Sequence, residues 1–197
     1  MGNALNRATQ TTNRDGLASA RGYSLIEVLI VVALGISLAG MAIPLSNDFI
    51  STSKADSSVV ALTGALEAAK SRAVSERRNI RLTFNGTNQI IVERMEVPSG
   101  TATLISNTPL EGAQQFYKFA ISDTPDNFGS GPALSFTGTA PYMFSSDGTL
   151  VDTNGDVANG TVFIGIPGKV DSARAVTIFG VTGLMRTWKW RGNAWVE

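Results

Sequence analysis

A long apolar run near the N-terminus, YSLIEVLIVVALGISLAGMAIPL from Tyr23 to Leu45, limits most strongly how this chain can fold. Its only charged residue is Glu27. A helix rises by about 1.5 Å per residue, so this run could cross the hydrocarbon layer of a bilayer. Core helices of soluble proteins rarely contain so long an unbroken apolar stretch. We therefore expect residues 23–45 to form a transmembrane helix.

The residues before this run are polar and basic. Residues 1–22 carry Arg7, Arg14 and Arg21 against Asp15. Positive charge beside an apolar segment tends to stay in the cytoplasm, so we expect residues 1–22 inside and the rest of the chain outside. In an ordinary secretory signal the cleavage site follows the apolar region. Here the candidate cleavage site comes before it.

The junction at residues 21–28, RGYSLIEV, resembles the prepilin processing motif of type IV pilins and type II secretion pseudopilins. The resemblance implies that a prepilin peptidase in the membrane cuts between Gly22 and Tyr23 and methylates the new amine of Tyr23. The family usually has Phe at this position, and Tyr23 keeps the aromatic ring. Residues 1–22 would then be a prepilin leader peptide. The mature chain would cross the bacterial inner membrane once, with its head in the periplasm or outside, before joining a filament at the cell surface.

Two residues of the apolar run have expected roles in assembly. A lone carboxylate in lipid is costly and tends to take up a proton or find a cationic partner. The family resemblance implies that Glu27 faces the N-terminal amine of a neighbouring subunit, although a side chain that reaches interfacial water is an alternative. Pro44 lacks the N–H of a helical hydrogen bond, which favours a kink or local unwinding. Alternatively, Pro44 marks the membrane boundary.

A second helical pattern follows over residues 46–78. Apolar residues recur there at spacings of three and four, which predicts an amphipathic helix with one buried face. The members of this stripe are Val59, Leu62, Leu66, Ala69 and Ala73. The basic residues near its end, Lys70, Arg72, Arg77 and Arg78, are expected to form a solvated face that complements the helix dipole.

Residues 79–197 read as a β-rich globular head. Alternation over Ile80–Phe84, the turn Asn85-Gly86 and the return over Gln89–Arg94 predict a hairpin. Further strands are predicted at residues 142–145, 161–166, 175–179 and 185–190, with a short strand within 114–121 and a loop over 123–132. The expected fold class is therefore α+β: a long N-terminal helix, half transmembrane and half amphipathic, packed on an antiparallel β-sheet head.

Three head segments are similar to the GspH/FimT branch of minor pilins and pseudopilins. They are residues 70–74 (KSRAV), 144–149 (FSSDGT) and 181–186 (VTGLMR). This resemblance implies a minor subunit of a type IV pilus or a type II secretion system. Its partners would be other pilins or pseudopilins, the prepilin peptidase and the inner membrane. The long N-terminal helix on a sheet likewise resembles the pilin architecture.

A cluster of oxygen-bearing side chains is a calcium candidate: Asp147, Asp152, Asn154 and Asp156. The D-x-N-x-D spacing from Asp152 is that of a calcium loop. An EF-hand would require Gly in place of Val157 and Glu in place of Phe163, so that version is excluded. Turn chemistry, in which Asp and Asn accept hydrogen bonds from their own backbone, explains the same residues.

The C-terminal segment mixes cations with indoles: Arg186, Trp188, Lys189, Trp190 and Arg191. Basic side chains contact phosphates and aromatic rings stack on bases, so this strand is a candidate DNA-binding surface. FimT-like pilins of DNA-uptake systems bind DNA in this way, which makes a DNA-binding minor pilin the alternative function. The competing interpretation is a strand with both tryptophans packed on one face and Lys189 and Arg191 on the other.

We expect no enzymatic activity and no cofactor. The chain has no His and no Cys, which removes the commonest general base, metal ligand and thiol nucleophile. It also lacks a Gly-x-Ser-x-Gly motif and a phosphate-binding glycine loop with Lys.

Overall fold

A computed structural model describes residues 23–128 and 131–197, with the side chains of residues 41–48 left out. The predicted leader, including Gly22, lies outside the described residues. By backbone contacts the chain divides into two compact units, Met1–Ile43 and Pro44–Glu197.

A single helix, α1 (Leu25–Glu76), covers both predicted helical segments and includes Pro44. Ser24 precedes its first residue, and the Ser24 carbonyl accepts hydrogen bonds from the backbone N–H groups of Glu27 and Val28 at 2.9 and 3.1 Å. It ends where Arg77 takes a left-handed conformation, with φ of 51°. The N–H of Arg78 then donates to the carbonyl of Ala73 at 3.2 Å, which is the six-to-one bond of a Schellman motif.

The described part of the head contains eleven strands that form two sheets. In chain order they are β1 (Ile80–Asn85), β2 (Gln89–Met95), β3 (Ala102–Pro109), β4 (Gln115–Phe116), β5 (Leu134–Phe136), β6 (Tyr142–Phe144), β7 (Leu150–Val151), β8 (Gly160–Ile166), β9 (Lys169–Phe179), β10 (Leu184–Trp190) and β11 (Trp195–Val196). The first sheet has the order β3-β2-β1-β6-β7, and the second has β11-β10-β9-β8-β4 with β5 also on β8. The described pairings are all antiparallel.

One hydrophobic core lies between the helix and the two sheets. The predicted stripe of Val59, Leu62, Leu66, Ala69 and Ala73 is buried, which confirms the amphipathic helix. It packs with apolar residues of the first sheet, such as Ile80, Leu82, Ile90 and Phe144, and of the second, such as Val162, Ile164, Val176 and Ile178. Packing a helix's apolar stripe on a sheet is the standard way for both to bury their apolar faces.

A second core covers the opposite face of the second sheet. It consists of Phe119, Phe163, Ala173, Ala175, Trp188, Trp190 and Trp195. Because neighbouring residues of a strand point to opposite faces, Phe163 joins this cluster while Val162 and Ile164 join the first core. The second sheet is therefore buried on both faces, which explains why β8 is apolar along almost its whole length.

The α+β fold class is confirmed, and so is the first hairpin, whose strands pair from Ile80↔Arg94 to Asn85↔Gln89. The sequence did not indicate that the strands divide between two sheets. The segment at 114–121 forms only the two-residue β4. Strands β3, β5, β7 and β11 were not predicted, since β3 is largely exposed and polar and the other three have at most three residues.

Candidate functional site

The N-terminal part of α1 is an apolar surface without cover in the structure. Every residue from Tyr23 to Gly40 is exposed. The large apolar side chains among them are between 51% and 82% exposed, with Val28 and Leu25 at these limits. Glu27 lies in the first turn, where a carboxylate interacts favourably with the helix dipole. It is the one acidic residue in a surface that is otherwise apolar or small and polar.

Across residues 23–40, 49–128 and 131–197, where side chains are described, no helix is both long enough and apolar enough to cross a bilayer. Residues 41–45 of the predicted span lie outside that part of the chain.

The three head segments that resemble the GspH/FimT branch meet around Lys70. The Lys70 ammonium donates hydrogen bonds to the carbonyl oxygens of Thr182 at 2.8 Å and Gly183 at 3.2 Å. The Thr149 hydroxyl donates to the carbonyl of Val181 at 3.4 Å. Lys70 is half-buried and bonds the β9–β10 turn, so it is not part of a solvated basic face. We call this contact the Lys70 junction, formed by Lys70, residues 148–149 and residues 181–183.

Two glycines allow the close approach at the Lys70 junction. Gly183 has φ of 60°, and a Cβ there would lie 2.6 Å from the carbonyl oxygen of Gly148. Gly148 has φ of 86°, and a Cβ there would lie 3.3 Å from Lys70 Cε and from Val74 Cγ2. Side chains other than hydrogen are disfavoured at such φ values, and these contacts leave them no room. The junction therefore depends on glycine at both positions.

The tryptophans of the candidate DNA-binding strand are part of the second core. Trp188 and Trp190 are each 8% exposed. The Trp188 indole N–H donates to Thr177 Oγ1 at 3.0 Å. Trp190 packs edge-on against Trp195, with ring centroids 5.4 Å apart. Both rings are packed inside the protein, as in the competing interpretation of this strand, and leave little surface for stacking on bases.

The cations of the same strand do not form one basic patch. Arg186 Nη1 pairs with Asp126 Oδ1 at 2.9 Å, on the sheet face that carries Trp188. Lys189 Nζ pairs with Asp56 Oδ2 at 2.9 Å, on the face covered by α1. Of the three, only Arg191, exposed in the turn after β10, has no side-chain hydrogen bond or ion pair within residues 23–128 and 131–197. Two of the three cations thus contact carboxylates, and Asp56 is shared between Lys189 and Arg174.

A buried arginine in β9 connects the second sheet to α1. Arg174 is 2% exposed, and its Nε donates to Asp56 Oδ1 at 2.6 Å. Its Nη1 also donates to the carbonyls of Asp171 and Ala173, both at 2.9 Å. Burial alone would raise the pKa of Asp56, but hydrogen bonds from Arg174 and Lys189 together lower it below its ordinary value. No local sequence pattern indicated this ion pair, because Asp56 and Arg174 are far apart along the chain.

In the candidate calcium loop, the Asp152 carboxylate accepts hydrogen bonds from backbone N–H groups. Asp152 is 2% exposed, and its Oδ1 accepts the N–H groups of Asn154 at 2.8 Å and Asp156 at 3.0 Å. Its Oδ2 accepts the N–H of Thr139 at 3.1 Å. The hydrogen bond from Thr139 is the largest cause of the lowered pKa of Asp152, and those from Asp156 and Asn154 lower it further. These backbone bonds are turn chemistry. Among the described residues no three His, Cys, Asp or Glu side chains form a metal-ligand set.

Asp147 has a similar role in the turn between β6 and β7. It accepts hydrogen bonds from the Ser145 hydroxyl and, at 2.9 Å, from the backbone N–H of Thr149. The Ser145 hydrogen bond is the largest cause that lowers the pKa of Asp147 from 3.8 to about 2. Asp147 therefore shapes the turn that presents Gly148 to the Lys70 junction.

A pocket on the outer face of the second sheet was not foreseen from the sequence. It has a volume of about 340 Å³ and is lined by Asp126, Phe128, Thr177, Phe179, Leu184 and Arg186. We call it the Phe179 pocket. Leu184 and Phe179 are cross-strand partners, and Phe128 stacks on Phe179 with ring centroids 5.8 Å apart. The residues come from β9, β10 and the loop before β5, so no local pattern could have grouped them.

No family model and no curated protein sequence matches the chain. Among solved structures it is similar to the minor pseudopilin EpsH of the type 2 secretion system of Vibrio cholerae, with a TM-score of 0.48 and 14% identity over 69% of this chain and 97% of that one. It is also similar to the type IV minor pilin FimU of Pseudomonas aeruginosa. One crystal form gives a TM-score of 0.44 and 18% identity over 67% of this chain and 90% of FimU. Another crystal form gives a TM-score of 0.45 and 17% identity over 78% of this chain and 98% of FimU.

Proposed function

We propose that this chain is a minor pilin or pseudopilin, a subunit of a type IV pilus or a type II secretion system. In this account it is inserted in the inner membrane as a precursor, cut between Gly22 and Tyr23, and methylated at the new amine. It then joins a filament or its tip complex through the N-terminal part of α1. Its work is mechanical or adhesive, and the head presents a surface to partners.

The exposed apolar surface of residues 23–40 is the observation that carries this proposal. Soluble monomers rarely expose contiguous apolar patches larger than a few hundred Å². Here every residue around the helix is exposed, so one partner surface on one side would not cover it. Lipid around the precursor and the helices of neighbouring subunits in a filament would each cover all sides.

The position of Glu27 supports assembly coupled to processing. Glu27 stands four residues after Tyr23, within the first turn of α1. A carboxylate surrounded by apolar groups is stabilised by a cation close to it. Cleavage after Gly22 would create such a cation, the amine of Tyr23 on a neighbouring subunit. An uncut precursor has no amine at this place, so it would assemble poorly.

The test compares Glu27→Ala with Glu67→Ala in full-length chains produced in the native cells. Both glutamates are exposed on α1, but Glu67 lies in the head half of the helix. We expect Glu27→Ala to stay in the membrane fraction and to fall at least tenfold in the assembled fraction, measured by quantitative immunoblot after shearing or gradient separation. Glu67→Ala should assemble as the wild type does. Wild-type assembly of Glu27→Ala would refute the proposed role of this carboxylate.

A further inference from the structure

We propose that the Phe179 pocket docks a protein segment in which a bulky apolar side chain stands beside a carboxylate. The pocket belongs to the head, on the sheet face opposite α1. The inference goes beyond the proposed function, because it does not depend on residues 23–45 or on processing after Gly22.

The walls of the pocket are exposed apolar groups. Phe179 is 39% exposed and Leu184 is 53% exposed, although both belong to strands. Phe128 stacks on Phe179 at an angle of 26° and forms the third apolar wall. Large apolar side chains left open in a concave site indicate a place where a ligand is bound. An apolar anchor would bury these walls against it.

The size of the pocket favours one anchoring side chain. Its volume of about 340 Å³ is near the lower end of the range of about 300–1,000 Å³ found for small-molecule sites. The apolar surface continues beyond it along the β9–β10 turn, where Val181 is 56% exposed. In protein interfaces a few side chains that fill pockets dominate the affinity, and the surrounding contacts exclude water. A protein segment fits both the small pocket and the apolar rim.

The charge that faces outward from the pocket is positive. Asp126 uses both oxygens inside the protein, accepting from Thr177 Oγ1 at 2.6 Å and from Arg186 Nη1 at 2.9 Å. Its side chain is 13% exposed, whereas that of Arg186 is 47% exposed. Within the described residues Asp126 is the one hydrogen-bond partner of the Arg186 guanidinium, which has five N–H donors. A carboxylate on the partner can accept the remaining donors in a charge-assisted pair.

The same charges disfavour a nucleic acid as the occupant. Binding to a phosphate backbone requires several cations that release counterions together. The pocket offers Arg186 alone, already paired with Asp126, and Lys189 is paired with Asp56 on the other sheet face. One guanidinium beside apolar walls matches one carboxylate beside an apolar side chain.

The test selects phage-displayed random peptides on the full-length chain in detergent micelles. We expect the enriched peptides to share a bulky apolar residue within two positions of Asp or Glu. A synthetic peptide of the shared sequence should bind at least tenfold more weakly to Phe179→Thr and to Arg186→Gln. The matched control is Arg191→Gln, which removes an exposed arginine outside the pocket and should leave the affinity unchanged. Unfolding midpoints from tryptophan fluorescence establish that each variant is folded.

A second arm identifies the pairing of charges. Replacing the peptide's Asp or Glu by Asn or Gln should weaken its binding to the wild-type chain by the same factor as Arg186→Gln weakens binding of the original peptide. The amide peptide and the original peptide should then bind the Arg186→Gln variant equally well. Three results would overturn the proposal: no enriched sequence, enrichment that Phe179→Thr and Arg186→Gln leave intact, or competition by a random single-stranded oligonucleotide that abolishes peptide binding.

Discussion

The ammonium group of Lys70 donates a 2.8 Å hydrogen bond to the carbonyl oxygen of Thr182, which lies 112 residues further along the chain. A second bond, 3.2 Å long, goes to the carbonyl of Gly183. These bonds join the helix α1 to the turn between β9 and β10 of the second sheet. Together with the hydrogen bond from the Thr149 hydroxyl to the carbonyl of Val181, they bring residues 70–74, 144–149 and 181–186 into one structural contact.

We expect Lys70→Met to lower the free energy of unfolding of the head by about 1–2 kcal/mol. This loss is near the lower end of the range for hydrogen bonds to charged groups, because the turn carbonyls can bond to water once the ammonium is removed. Met keeps the helix propensity and most of the apolar stem of Lys, so the change isolates the ammonium group. The measurement is urea unfolding of the full-length chain in detergent, followed by the fluorescence of the three buried tryptophans. Lys54→Met, an exposed lysine of the same helix, is the control and should change stability by less than about 0.5 kcal/mol. Equal effects of the two changes would contradict the account of the Lys70 junction.

The turn around Asp147 should make part of the head's stability depend on pH. The pKa of Asp147 is lowered from 3.8 to about 2, first by the Ser145 hydroxyl and then by the N–H of Thr149. A lowered pKa means that this contribution is present above pH 3.8 and is lost as the pH falls from 3.8 toward 2. Unfolding curves of Asp147→Asn over this range should therefore be less steeply dependent on pH than those of the wild type.

The Ser145→Ala variant checks the cause of that shift. It keeps the Asp147 carboxylate but removes its main hydrogen-bond donor, so its pH dependence should resemble that of Asp147→Asn. A wild-type slope between pH 4 and pH 2 in both variants would mean that Asp147 contributes nothing to acid stability.

Helical spacing, strand alternation and turn residues predicted the elements that short stretches of sequence determine. The stripe from Val59 to Ala73 has helical spacing, and α1 buries it. Asn85-Gly86 was predicted as the turn between two alternating strands, and β1 and β2 do pair as an antiparallel hairpin. The alternation of Trp188 and Trp190 with Lys189 likewise predicted a strand with both tryptophans on one face and the lysine on the other. The structure buries both tryptophans.

Contacts between distant segments could not be read from the sequence. Arg174 is a single charge inside an apolar strand, and only the fold brings Asp56 to it. Strand β3 was missed because, at the edge of the first sheet, it has no need for regular apolar alternation. The Phe179 pocket combines two strands with a loop residue, Phe128. Each of these features depends on tertiary packing, which periodicity does not encode.

We expect the full-length chain to bind neither single-stranded nor double-stranded DNA in gel shifts at low salt. The rings of Trp188 and Trp190 are buried, and Arg186 and Lys189 are paired with carboxylates. Base stacking and uncompensated cations are the two contributions that such binding requires. A shift that weakens as salt rises and is reduced by Arg191→Gln would contradict this expectation and would restore the DNA-uptake alternative.

The most direct test of the proposed function is the intact mass and N-terminal sequence of the chain recovered from membranes, with and without a prepilin peptidase in the expressing cells. The account predicts a peptidase-dependent start at methylated Tyr23 and an unprocessed precursor when the peptidase is absent. A chain that stays uncut in the presence of the peptidase, or one that is cut beyond Leu45, would contradict it.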